Sequence, residues 1–179
     1  AGIDDILIAT NIIGAARSGR LASLQKKLSL KVCADNKVSL SEYSKAAEAA
    51  NRPLDVLIEC DTGQKRAGVE KPSEALSLIK SIIADKWLKF TGLLYYPPLH
   101  GWENTQLFHD DLTKMLDELN LKAKIISTGG TPNFANIGKL KGATEHRAGT
   151  CIFNDMMMVE DGFAKTNDCA FRVFTSLVS

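Results

Sequence analysis

Four short segments of this chain combine the residue types that bind and polarise anions. They are Asp61-Thr62-Gly63 with Arg66, Tyr95-Tyr96 with His100, Ser127-Thr128-Gly129-Gly130-Thr131-Pro132, and Arg147-Ala148-Gly149-Thr150. Glycine lets a backbone approach an anion closely and adopt positive φ. Backbone N–H groups presented that way, with Ser and Thr hydroxyls beside them, form a concavity that suits a phosphate. Arg66 and Arg147 add permanently charged forks that suit oxyanions. Each segment alone also fits ordinary structure. Gly-Gly-Thr-Pro is common turn chemistry. Arg66 could cap a turn or pair with Asp61, Arg147 could pair with Glu145 at the surface, and Tyr96 could fill a core. His100 belongs either to a substrate pocket or to a cap on the Pro97-Pro98 loop.

The elements that must position these residues follow from periodicity. Short apolar runs read as strands at Asp5–Ala9, Leu30–Asp35, Leu54–Cys60, Lys89–Tyr96, Lys124–Ile126 and Thr144–Arg147. The first reads as buried on both faces. Amphipathic stretches separate most of them. Leu21, Leu24 and Leu28 share one helical face, and Tyr43, Ala46, Ala47 and Ala50 another. Ala75, Leu78, Ile79 and Ile82 form a third, and Phe108, Leu112, Met115, Leu116 and Leu119 a fourth. Ser39 with Glu42 reads as a capping box opening the second helix. Pro72 and Ser73 open the third. Cys169–Val178 reads as a last β-like run.

Strands alternating with helices imply a parallel sheet with right-handed crossovers. That leaves a doubly wound open sheet or a (β/α)8 barrel. No turn carries a dinucleotide or P-loop fingerprint. The four chemical segments all fall just after strands, where barrel active sites gather and where late loops often hold phosphate. The barrel is therefore the expected fold. Six strands are too few for it, and a complete barrel takes about 250 residues. The chain is expected to be an internal piece of a larger protein, or a gene product lacking both ends.

The totals narrow the partners. The chain has 179 residues, 45% hydrophobic and 24% charged, with a formal net charge of +1. That balance gives no electrostatic reason to expect nucleic acid or an anionic membrane. No apolar run approaches the roughly 20 residues of a membrane span. Four cysteines and three histidines show no metal-ligand spacing. Reduced thiols and a cytoplasmic location are the expectation.

Three segments together resemble the pyridoxal-phosphate (PLP) enzymes built on the alanine racemase barrel. Glu59-Cys60-Asp61-Thr62-Gly63-Gln64-Lys65-Arg66-Ala67-Gly68-Val69 is similar to their D-T-G-x-x-R-x-G-V motif. Phe90-Thr91-Gly92-Leu93-Leu94-Tyr95-Tyr96 is similar to the G-L-x-x-Y/H strand that follows. Ser127 to Pro132, with Glu145 to Asp155, resembles the D-threonine aldolase and D-serine dehydratase branch. The resemblance implies strands three to eight of the barrel over residues 1–167, and the start of a C-terminal β-domain at 168–179.

It also implies roles. Ser127, Thr128, Gly129, Gly130, Thr131, Gly149 and Thr150 would hold the cofactor, with phosphate donors in the backbone N–H groups from Gly129 to Thr131 and at Gly149 and Thr150. Arg147 would face the pyridine nitrogen. Tyr96 would pack on the pyridine ring. Arg66 would reach the cofactor's phenolic oxygen or the substrate, and His100 the substrate pocket. Cys151 stands where many relatives have Tyr, which removes a hydroxyl donor. The lysine that carries PLP is expected before Ala1, not at Lys31 or Lys65. A divalent metal is expected on the C-terminal domain, and a homodimer by analogy of fold. The implied activity is retro-aldol cleavage of a β-hydroxy D-amino acid. The alternatives are β-elimination, racemisation, or non-enzymatic PLP binding. The 179 residues alone are expected to show no turnover.

Overall fold

In the computed structural model, which describes residues 2–176, six parallel strands lie in one sheet in strict chain order. They are β1 (Asp5–Ile8), β2 (Ser29–Ala34), β3 (Leu54–Cys60), β4 (Leu88–Tyr95), β5 (Ile125–Gly129) and β6 (Glu145–Arg147). Helices α1 (Ala15–Gln25), α2 (Lys37–Ala50), α3 (Pro72–Ile83) and α4 (Trp102–Asp117) make the first four crossovers, and a short α5 (Met156–Glu160) follows β6. A doubly wound sheet reverses its strand order at a switch point. The order β1-β2-β3-β4-β5-β6 has no reversal. The sheet is a curled part of a (β/α) barrel, as the sequence implied.

The period of two along each strand sorts side chains between two faces. Val32, Ala34, Val56, Ile58, Cys60, Leu93 and Tyr95 face the helices and join the main core with Tyr43, Ala47, Leu78, Ile79, Leu112 and Leu116. The intervening residues Cys33, Leu57 and Leu94 form a smaller apolar cluster with Leu7 and Ile125 on the concave face. One step further towards the strand ends, the same face carries Glu59, Tyr96, Ser127 and Arg147. The apolar floor thus gives way to polar groups at the C-terminal rim.

Several local expectations change. β1 is exposed or half-buried along its whole length, because only β2 pairs with it. α2 starts at Lys37, capped by Asn36, whose side chain accepts from the Ser39 N–H at 2.9 Å. Ser39 therefore lies in the first turn, and Glu42 instead accepts from Ser18 Oγ at 2.7 Å. The apolar stripe of α4 ends at Leu116, since Leu119 is exposed. β5 runs on through Ser127, Thr128 and Gly129, which were expected in a turn. Residues 169–176 form no strand. They have no neighbouring strand to pair with, and Phe171 and Phe174 stand exposed. Residues 177 and 178 of that expected run lie outside the described residues.

Candidate anion and cofactor site

The loop after β3 is built on Asp61. Its Oδ1 accepts from the Gly63 N–H and its Oδ2 from the Arg66 N–H, each at 2.8 Å. Burial opposes the charged form, but the N–H groups of Gly63, Arg66, Lys65 and Gln64 outweigh it and lower the Asp61 pKa. The loop returns to its own strand, with Val69 N–H donating to Glu59 O and Asp61 N–H to Val69 O. Gly68 makes that return possible. It sits at φ +115°, and a Cβ there would lie 2.6 Å from Asp61 N. The loop delivers Arg66 over the Tyr96 ring, with its guanidinium carbon 5.4 Å from the ring centroid. Asp61 thus binds the Arg66 backbone, while the Arg66 side chain stacks on Tyr96.

Tyr96 in turn packs against the end of β5. A Cβ on Gly130, where φ is +104°, would come within 2.9 Å of the Tyr96 ring. A Cβ on Gly129 would meet the Arg147 guanidinium at 2.8 Å. Two glycines here let an aromatic ring and a guanidinium lie directly on the backbone. Arg147 is fixed at both ends of its fork. Nη1 donates to Ser127 Oγ, and Nη2 donates to the Tyr95 carbonyl at 3.0 Å. Ser127 Oγ donates to Glu145 Oε1 at 2.6 Å. Burial lowers the Arg147 pKa, and the carboxylates of Glu145 and Glu59 oppose that. Arg147 is a held, half-buried cation rather than a free surface group.

Ala9, Glu59, Gln64, Arg66, Leu94, Tyr96, Gly129, Gly130, Thr131, Arg147, Gly149 and Thr150 line one cavity of about 400 Å³ on the concave face at the rim. It gathers eight of the residues expected from sequence. Ser127 and Thr128 are not among them. Ser127 is fully buried between Arg147 and Glu145, and Thr128 points away, with Oγ1 2.8 Å from His146 Nδ1. Alternation along β5 turns Thr128 to the other face, whereas Ser127, on the concave face, is covered by its bonds to Arg147 and Glu145. His100 is exposed and borders a separate cavity with Glu103, Lys139 and Lys141. The site therefore excludes it. Glu59 and Gln64 were quoted as motif residues without a role. The alternation that placed Leu57 inward also places Glu59 there, a signal present in the sequence.

The N–H inventory decides what can hold an anion. The Gly130 N–H is spent on the Arg147 carbonyl at 2.9 Å, which removes it from the expected donors. The Cys151 N–H is spent on Thr131 Oγ1 at 3.2 Å, a bond that ties the two loops together. Among the described residues, none accepts from the N–H of Thr131, Gly149 or Thr150. Short 3-10 turns begin at Thr131 and at Thr150, each leaving its first N–H groups pointing off the end. Two arginines flank these free donors. That set fits a phosphate, and the Tyr96 ring lines the same cavity. Among the described residues, no lysine lines the cavity, and no group of three His, Cys, Asp or Glu could hold a metal. Lys31 Nζ is paired with Asp5.

Fold and site together define a partial (β/α) barrel whose C-terminal rim presents an anion cradle. The chain belongs to the alanine racemase N-terminal domain family, which residues 4–156 match. It is 37% identical over 101 residues to a D-threonine aldolase of Arthrobacter sp., covering 56% of this chain and 26% of that protein. It is 24% identical over 194 residues to the D-threo-3-hydroxyaspartate dehydratase of Delftia sp. strain HT23, covering 99% of this chain and 50% of that one. A solved D-threonine aldolase from Filomicrobium marinum superposes with a TM-score of 0.83 at 24% identity, over 96% of this chain and 49% of that one. The last likeness is one of fold. The chain spans a quarter to a half of the curated relatives it matches.

Proposed function

We propose that this chain is the PLP-binding barrel segment of a lyase that cleaves β-hydroxy D-amino acids by a retro-aldol reaction. The observation that carries this reading is the cradle of free N–H groups from Thr131, Gly149 and Thr150, set in one cavity with Arg66, Tyr96 and Arg147. The similarity to a D-threonine aldolase supports a retro-aldol reaction. When bound, PLP supplies the electron sink for the charge left at Cα. The protein supplies position and charge. Thr131, Gly149 and Thr150 would hold the phosphate through backbone N–H groups, and the joined loops would keep them fixed. Tyr96, braced on Gly129 and Gly130, would lie against the cofactor ring. Arg147, locked by Ser127 and the Tyr95 carbonyl, would place a cation at the back of the site. Arg66 would offer its fork to a cofactor or substrate oxygen. In this reading the lysine that carries PLP and the ligands of a divalent metal lie outside residues 1–179, and a β-domain begins near residue 168.

A second reading, β-elimination to a keto acid and ammonia, is favoured by the match of nearly the whole chain to a D-hydroxyaspartate dehydratase. The test uses the full natural protein that contains this chain. Borohydride should fix PLP onto a lysine outside residues 1–179, located by peptide mapping. D-threonine should give glycine and acetaldehyde. Keto acid and ammonia would select the second reading. A trapped lysine inside residues 1–179 would overturn both.

A further inference from the structure

Among the described residues Glu59 is the one cavity-lining carboxyl, and neither loop's role uses it. It sits on the concave face of β3, where Glu59 pairs in register with Leu94 of β4. Its residue is only 8% exposed. Among the described residues its side chain has one hydrogen-bond partner, the neutral Cys33 thiol, which donates to Oε2 at 3.5 Å. No ion pair within 4.0 Å joins it to Arg66 or Arg147, although both line the same cavity. A buried carboxylate without a contacting cation is costly to ionise. An anion entering the cavity would add a like charge.

We propose that Glu59 is the proton-linked residue of this cavity: it takes up one proton when an anionic ligand binds and returns it when the ligand leaves. The step balances as one proton from solvent to a Glu59 carboxylate oxygen per anion bound. The arginines then face the ligand without a competing carboxylate. Burial, the largest influence, already raises the Glu59 pKa, and Asp35 adds to it. The Cys33 hydrogen bond, Arg147 and Arg66 act the other way. The other titratable groups near the cavity are Tyr96, just past β4, which lines it, and Asp61 on the β3 loop with Glu145 and His146 on β6, which do not. Asp61 is held ionised by its N–H donors, and Glu145 is bonded to Ser127. His146 turns towards Thr128 and the Gly130 carbonyl. Glu59 is the group left to respond. The inference deepens the proposed cofactor reading and rests on it for its biological meaning.

The probe is sulfate, which stays fully ionised from weakly acidic to weakly basic pH and brings no proton of its own. Calorimetric titration of the full chain in buffers of differing protonation enthalpy counts protons taken up per sulfate. Wild type should take up protons and bind sulfate about tenfold more weakly at about pH 8 than at about pH 5.5, the size expected for one charge several ångströms away. Glu59→Gln should take up none and keep a flat affinity, while Glu59→Asp should restore the linkage. The carboxyl carbon signal of Glu59 in the wild type should move to its protonated position on saturation, which needs no variant to fold. Unchanged uptake in Glu59→Gln, or an unmoved carboxyl signal, overturns the proposal. Failure of PLP to displace sulfate would instead overturn the cofactor reading and leave the proton count standing.

Discussion

The centre of the sheet and its β5–β6 edge are made of the same kind of strand but do opposite work. β2, β3 and β4 run six to eight residues, and most of their side chains are buried on both faces. Helices α1 to α4 pack against the outer face, and their backbone groups are paired. β5 and β6 run five and three residues. The chain beyond them turns in short 3-10 segments and leaves Ile152, Phe153, Met156 and Phe171 exposed. This loosely packed edge holds the free N–H groups. A fully paired backbone stabilises but binds nothing, so the donors of a phosphate cradle have to lie where the ladder stops.

The contrast predicts where substitutions hurt. Leu93→Ala, fully buried in the core, should cost about 3 kcal/mol of unfolding free energy, within the usual range for such a cavity. The same change at exposed Ile152 should cost almost nothing by denaturant titration. Equal losses would mean that the edge is packed as tightly as the centre. Gly130→Ala should reverse the pattern. Its Cβ would strike the Tyr96 ring at positive φ, so PLP affinity should fall at least about tenfold, with a stability loss of about 2 kcal/mol. Retained affinity would break the link between ring placement and binding. Arg147→Lys keeps the charge but cannot span Ser127 and the Tyr95 carbonyl together. It should cost about 1 to 2 kcal/mol in thermal unfolding and weaken PLP binding.

The smallest effects separate two carboxyls at the end of one strand. The Asp61 pKa is lowered, so its contribution to stability is present above the ordinary carboxylate range and is lost as pH falls through its folded value. The Glu59 pKa is raised, so stability is full below its unfolded value and is lost as pH rises through the folded one. At neutral pH Asp61→Asn should therefore lower the melting temperature by a few degrees, and Glu59→Gln should raise it slightly. Shifts of the same sign would contradict the assigned environments.

Much of the centre was legible in the sequence. β3 and the start of α3 fall where the apolar run of Leu54–Cys60 and the Pro72 signal place them, because burial on both faces and a helix-opening proline act locally. The D-T-G-x-x-R-x-G-V segment was legible as a motif, and its Gly68 contact and Asp61 bonds supply the physical reason. The edge was harder to read. Ser127 and Thr128 look like turn residues, but pairing with β6 draws them into β5. That the Gly130 N–H is consumed depends on the Arg147 carbonyl, far away in the chain. His100 lies near the rim in sequence, yet the start of α4 carries it to another cavity. Each miss concerns a partner that no local pattern specifies.

The most direct test of the central claim is a titration of the isotopically labelled protein with PLP, following backbone amide signals. The cradle predicts that Thr131, Gly149 and Thr150 move first and furthest, with Gly130 following through Tyr96. Movement centred instead on Leu99, Gln106 and Lys141, around the neighbouring cavity, would contradict it.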